Sequence, residues 1–137
     1  MVSIMSLGLV KKLCCSTVWS LAGFKYAVTH EMSFRLEVIL AIALTPLAFL
    51  LAIDLNQLLL LIFSLYAVLI VELINTAIEA TVDRIGMERN ELSKHAKDAG
   101  SAAVFLSILL AVLVWGSIIG SYTVTKIDLF HYFYVDS

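Results

Sequence analysis

Three long segments without any charged side chain are the feature that most constrains how this chain can fold. They span residues 38–53, 58–71 and 99–125. A helix needs about 20 mostly apolar residues to cross a bilayer. Apolar residues run continuously here instead of alternating with polar ones, which excludes a membrane β-barrel. We therefore predict an all-α integral membrane protein. Its three transmembrane helices are expected at 34–53, 58–85 and 99–121.

The whole chain, residues 1–137, is predicted to form one membrane domain. Besides the three spans, this domain contains two further segments, one near each end of the chain. Residues 6–30 repeat apolar side chains near helical spacing and are predicted to form an amphipathic helix on the membrane surface. A cleaved signal peptide is the alternative, although Ser16, Thr17 and Ser20 would interrupt its apolar region. Residues 122–137 are rich in aromatic side chains and are predicted to form a tail at the membrane interface.

Lysine and arginine are distributed unevenly along the chain. Eight of the nine lie before or at the start of the first span or around the connection between the second and third spans: Lys11, Lys12, Lys25, Arg35, Arg84, Arg89, Lys94 and Lys97. Because cytoplasmic loops of membrane proteins are enriched in these residues, the N-terminus and the second loop are expected to be cytoplasmic and the C-terminus outside. Nine basic against eleven acidic residues argue against nucleic acid as the main partner.

Polar side chains interrupt the second predicted span on one helix face. They are Glu72, Asn75, Thr76, Glu79 and Asp83. An ionised carboxylate at the bilayer centre costs about 2.5–3.5 kcal/mol on insertion scales, so Glu72 and Glu79 need water, a cation or a partner chain. One interpretation is that this helix end lies at the wet interface. The other is a functional carboxylate site in which Glu72 serves as a general base.

Further charged residues lie close to this face of the second helix. One interpretation of Glu37 is an interfacial ion pair with Arg35 or with a nearby base at the start of the first span. Glu31 and Glu79 together offer the carboxylate oxygens that suit Mg²⁺, whose other ligands are usually water and substrate phosphates. Lys97 can meet a nucleotide phosphate there, although a solvated helix start is the alternative.

The residues around this polar face form a specific pattern. Residues 71–86 read VELINTAIEATVDRIG and residues 96–104 read AKDAGSAAV. This pattern closely resembles the prokaryotic integral-membrane diacylglycerol kinase family, from the surface helix to about Gly120. The resemblance implies a homotrimeric bundle in the bacterial cytoplasmic membrane, with active sites near the cytoplasmic surface at subunit boundaries. It also implies an enzyme that uses ATP and Mg²⁺ to phosphorylate the primary hydroxyl of diacylglycerol, which gives phosphatidic acid.

The resemblance further implies roles for individual residues. Glu72 matches the general base and touches the lipid substrate, while Glu31 and Glu79 match the ligands of the metal and its nucleotide. The other positions implied for the nucleotide are Lys12, Trp19, Asn75, Glu88, Asn90, Lys97 and Asp98. The other positions implied for the lipid are Phe34, Arg35 and Ser101.

Three other functions remain open at this point. An undecaprenol kinase belongs to a related branch of the same family. A small ion-coupled transporter is the main alternative from another class, because proton relays also use carboxylates inside the membrane. The third is a membrane assembly subunit without catalytic activity.

Overall fold

Four α-helices make up the part of the chain that the structure describes. The computed structural model describes the backbone of residues 2–86, 88 and 90–134, and these residues contain helices but no strand. The helices are α1 (Val2–His30), α2 (Met32–Leu51), α3 (Leu55–Ile85) and α4 (Glu91–Tyr134). Among the described residues, three segments are long and apolar enough to cross a membrane, namely Met32–Leu51, Leu55–Ile85 and Glu91–Val124. The prediction of an all-α protein with three membrane-spanning helices is confirmed.

A single residue separates α1 from α2. Glu31 has an extended backbone with φ of −104° and ψ of 117°, so the helix is interrupted there and resumes at once. Around this corner the completely buried side chains of Ala27 and Phe34 pack with Leu69 of α3. Phe24 meets Phe34 edge to face, with ring centroids 5.2 Å apart. These contacts hold the end of α1 against α2 and α3.

The turn between α2 and α3 is short and closed by side chains. Asp54, with an extended backbone, caps α3, because its carboxylate accepts a hydrogen bond of 2.8 Å from the backbone nitrogen of Gln57. The side-chain oxygen of Gln57 in turn accepts from the backbone nitrogen of Ile53 at 3.1 Å. This reciprocal pairing satisfies backbone donors at a helix start that would otherwise lack partners.

An apolar core joins α2, α3 and α4 near the Asp54 turn. Its buried members are Ala48, Leu61, Leu65, Trp115 and Ile118. Ser64 and Trp115 bring polar atoms into this region, and the indole nitrogen of Trp115 donates to the Ser64 hydroxyl at 3.2 Å. Large apolar side chains on the outer faces of these helices, such as Ile42 and Phe63, are exposed and available to lipid or to other chains.

The last helix extends beyond its predicted span at both ends. α4 begins at Glu91, ahead of the predicted start at residue 99, because Asn90 caps it. The side-chain oxygen of Asn90 accepts hydrogen bonds from the backbone nitrogens of Leu92 and Ser93, at 2.8 and 3.3 Å. At the other end α4 continues to Tyr134, through most of the predicted tail, and residues 135–137 lie outside the described residues.

Candidate active site

A polar cavity of about 340 Å³ lies among α2, α3 and α4, beside the α1–α2 corner. We call it the carboxylate cavity. It is lined by Glu31, Ser33, Glu37, Glu72, Asn75, Glu79, Ser101, Val104 and Ile108. Four glutamates therefore share a small space inside a bundle whose helices are long enough to span a membrane.

Helical spacing explains how α3 supplies three of the lining residues. Glu72, Asn75 and Glu79 are three and four residues apart, so they lie one above another on the same face. Thr76 and Asp83, which belong to the same predicted polar face, are directed elsewhere. Thr76 lines a second cavity between α1 and α3, and Asp83 forms an ion pair with Lys97. The polar face therefore divides among three environments, and only Glu72, Asn75 and Glu79 line the carboxylate cavity.

Only some of the polar atoms in the cavity have hydrogen-bond partners among the described residues. The side-chain nitrogen of Asn75 donates to Glu79 Oε1 at 3.0 Å. Glu72 and Asn75 are buried, with 5% and 8% of their surface exposed. The oxygens Oε2 of Glu37 and Oδ1 of Asn75 are also buried, and neither has a hydrogen-bond partner among the described residues. Buried acceptors left without donors are costly, so this cavity is suited to receive a ligand that brings cations or donors.

The predicted ion pair between Arg35 and Glu37 does not form. Residues two apart on a helix do not face each other, which explains why Arg35 is exposed while Glu37 lines the cavity. Among the described residues, ion pairs link only Lys97 with Asp83, at 2.6 Å, and His95 with Glu91, at 3.7 Å. Within the described part of the chain, therefore, no lysine or arginine forms an ion pair with a cavity glutamate.

The charged side chains of the cavity are of the chemical type that binds Mg²⁺. All of its charged groups are carboxylates, which are hard oxygen ligands. Within the described residues, no three acidic, histidine or cysteine side chains form a ready-made metal site. A cation held by Glu31 and Glu79 would therefore need water or phosphate oxygens as its other ligands, as is usual for magnesium bound with a nucleotide.

The predicted site residues divide into two groups. The structure brings Glu31, Glu72, Asn75, Glu79 and Ser101 together in the carboxylate cavity. The others lie outside its lining: Lys12, Trp19, Phe34, Arg35, Glu88, Asn90, Lys97 and Asp98. Of these, Phe34 has no exposed surface, Asn90 caps α4 and Lys97 pairs with Asp83. Lys12, Trp19, Arg35, Glu88 and Asp98 are exposed.

Sequence reasoning missed Ser33 as a cavity residue and gave Glu37 a different role. The two are four residues apart at the start of α2 and so share a face. The four-residue spacing could have indicated that both side chains lie on the same side of α2. Glu37 and Ile108 also line an adjacent apolar cavity of about 370 Å³, which extends to Trp115. The carboxylate cavity therefore lies next to an apolar space inside the bundle.

Comparison with known proteins shows which family this chain resembles. The model of the family "Prokaryotic diacylglycerol kinase" matches residues 18–119. The chain is 46% identical over 110 residues to a diacylglycerol kinase of Pseudomonas aeruginosa, which covers 80% of this chain and 89% of that one. It is 47% identical over 104 residues to a diacylglycerol kinase of Haemophilus influenzae, covering 76% and 88% of the two chains.

A third relative gives a similar result. A diacylglycerol kinase of Escherichia coli K12 is 45% identical over 97 residues, covering 71% of this chain and 80% of that one. The family match includes every residue that lines the carboxylate cavity. It stops at residue 119, so the last turns of α4 extend past it.

Proposed function

This chain belongs to the prokaryotic diacylglycerol kinase family and is a membrane-bound kinase, and we propose that the carboxylate cavity is its active site. In the reaction, the primary hydroxyl oxygen of diacylglycerol bonds to the γ-phosphorus of ATP. The bond from that phosphorus to ADP breaks, and the hydroxyl proton is released. The products are phosphatidic acid and ADP.

One observation carries this proposal. Glu72, Asn75 and Glu79 of α3 line one cavity with Glu31 and Ser101, and an apolar cavity lies next to it. Phosphoryl transfer depends mainly on positioning and on stabilising charge, and a lipid acceptor needs apolar surface beside the reacting groups. The cavity supplies both within helices long enough to cross a bilayer.

Glu72 is assigned the role of general base. It is buried and lines the cavity, where it can accept the proton of the lipid hydroxyl as that oxygen attacks phosphorus. Ser101, on α4, lies in the same cavity and is assigned to the acceptor lipid. Arg35 and Phe34 are assigned to the lipid side as well, with Phe34 acting by packing because it has no exposed surface.

Glu31 and Glu79 would hold the Mg²⁺ that accompanies ATP. The metal would supply charge neutralisation on the phosphate oxygens. Asn75 orients Glu79 through its hydrogen bond, and Lys97 and Asp98 are assigned to the nucleotide phosphates beside the cavity. The remaining nucleotide assignments, which follow the family resemblance, are Lys12, Trp19, Glu88 and Asn90.

The proposal includes an arrangement in the membrane. The N-terminus and the connection between α3 and α4 face the cytoplasm, following the distribution of lysine and arginine, and the C-terminus lies outside. The exposed apolar face of α3, which includes Ile70 and Ile74, supports assembly of three copies into a bundle. In that trimer the active sites lie at subunit boundaries of the bacterial cytoplasmic membrane.

Purified protein, labelled ATP and a panel of lipid alcohols test the function. Diacylglycerol is expected to become labelled in the presence of Mg²⁺ and not in EDTA. Preferential labelling of undecaprenol would reassign the acceptor. Proton flux into vesicles without nucleotide, with no labelled lipid, would instead indicate a transporter, and capture of a partner chain without labelled lipid would indicate an assembly subunit.

A further inference from the structure

α4 presents a glycine to α3 at the carboxylate cavity. Gly100 is buried, and a Cβ atom added to it would overlap the side-chain oxygen Oδ1 of Asn75. The same atom would lie 3.3 Å from Asn75 Cγ, which is a tight contact, and 3.9 Å from Asn75 Cα, which is an ordinary one. The absent methyl group therefore leaves room for the Asn75 side chain and not for the α3 backbone.

The two polar ends of the Asn75 side chain are held differently. Its nitrogen donates to Glu79 Oε1 at 3.0 Å, while its oxygen is buried beside Gly100 without a hydrogen-bond partner among the described residues. Side chains on a helix occupy few rotamers, and Asn75 is almost fully buried. Any rotation that removes the oxygen from a methyl group at residue 100 also moves the nitrogen away from Glu79.

We infer that Gly100 is a positioning residue that acts through Asn75 to aim Glu79 into the carboxylate cavity. The inference rests on the proposed function, since it concerns the carboxylate assigned to the magnesium nucleotide. α4 would therefore contribute to the site through Gly100, a residue without a side chain. Glycine is required because a larger residue displaces the donor that orients the carboxylate.

The test is the affinity of the solubilised protein for Mg²⁺ with a non-hydrolysable ATP analogue, measured by titration calorimetry without lipid acceptor. Loss of a group that orients a metal ligand typically costs about 10–100-fold in affinity. We expect a loss in this range for Gly100→Ala, and a similar loss for Asn75→Ala. Gly116→Ala is the matched control on the same helix, because an added Cβ there meets no atom within 4 Å.

The double variant separates positioning from general packing. In the Asn75→Ala background the clashing oxygen is gone, so Gly100→Ala should change the affinity by less than about twofold further. An equal loss in both backgrounds, or unchanged affinity in Gly100→Ala alone, would overturn the inference.

Two further outcomes are informative. If Gly100→Ala does not fold, the inference requires that the double variant folds and binds like Asn75→Ala, and a double variant that also fails to fold contradicts it. If the unmodified protein does not bind the magnesium nucleotide analogue, the proposed function fails instead. The two failures are therefore distinguishable.

Discussion

The two ends of the helix bundle differ in whether their buried polar groups have hydrogen-bond partners. Near the Asp54 turn, the Ser64 hydroxyl donates to the carbonyl oxygen of Leu61 at 2.8 Å and accepts from the Trp115 indole. At the carboxylate cavity, Glu37 and Asn75 keep buried oxygens without hydrogen-bond partners among the described residues. The first end is closed by its own contacts, whereas the second leaves two buried acceptors that the ligand of the proposed function would approach.

Because of this difference, we expect one end of the helices to determine stability and the other end to determine turnover. Packing and satisfied hydrogen bonds near the Asp54 turn stabilise the association of α2, α3 and α4. The glutamates of the carboxylate cavity repel one another and do not stabilise the bundle. Substitutions at one end should therefore change unfolding, and substitutions at the other should change turnover.

Glu72→Gln is expected to have the largest effect. A positioned general base contributes about 10²–10⁴-fold to a rate, so turnover of diacylglycerol should fall by that amount. Binding of the magnesium nucleotide should persist, because Glu31 and Glu79 are unchanged. Labelled ATP in micelles measures turnover, and calorimetry measures binding.

The stability of Glu72→Gln sharpens the comparison. Replacing one of four clustered carboxyls with a neutral amide removes repulsion, so the thermal unfolding temperature should stay the same or rise. Retained turnover would remove Glu72 from the role of base. A large loss of stability would mean that the carboxylate cavity is a structural element after all.

Leu61→Ala tests the opposite end. Leu61 is completely buried in the apolar core, and its truncation leaves a cavity. Because lipid is as apolar as leucine, the transfer part of the usual cost is small and the cavity part dominates, which gives about 2 kcal/mol. Turnover per folded molecule should remain within about twofold of normal. Leu50→Ala, at a side chain that is 75% exposed, is the control and should change little.

The elements of the fold could largely be predicted because a bilayer allows few solutions. Continuous apolar segments had to be helices, and Glu72 inside one of them had to be functional or wetted. Helical periodicity also placed Glu72, Asn75 and Glu79 on one face, which the structure brings into one cavity. These inferences needed only local geometry.

The remaining features depend on contacts between helices. The sequence does not reveal that Asp83 meets Lys97 across the connection, or that Gly100 lies against Asn75. The interpretation of Glu37 as an ion-pair partner of Arg35 was wrong, because residues two apart on a helix point in different directions. Extension of α4 through the aromatic tail was missed, since an interface segment can also be helical.

Asp83→Asn examines a charged pair outside the lining of the carboxylate cavity and should have a smaller effect. Asp83 holds the Lys97 ammonium at 2.6 Å, and both side chains are partly exposed, so the pair is screened by water. Without it, Lys97 is less well placed for a phosphate, and we expect the KM for ATP to rise by about two- to fivefold. A lowered KM would show that Asp83 competes with the nucleotide for Lys97.

Ser64→Ala should have the smallest effect, and only on stability. It removes the hydroxyl that accepts from the Trp115 indole nitrogen at 3.2 Å. Hydrogen bonds between helices in a membrane are worth about 0.6 kcal/mol on average, so unfolding should be easier by about that amount. Turnover should be unchanged, because neither residue lines the carboxylate cavity. Altered turnover with normal stability would mean that the end near the Asp54 turn also controls catalysis, and the separation of the two ends would have to be abandoned.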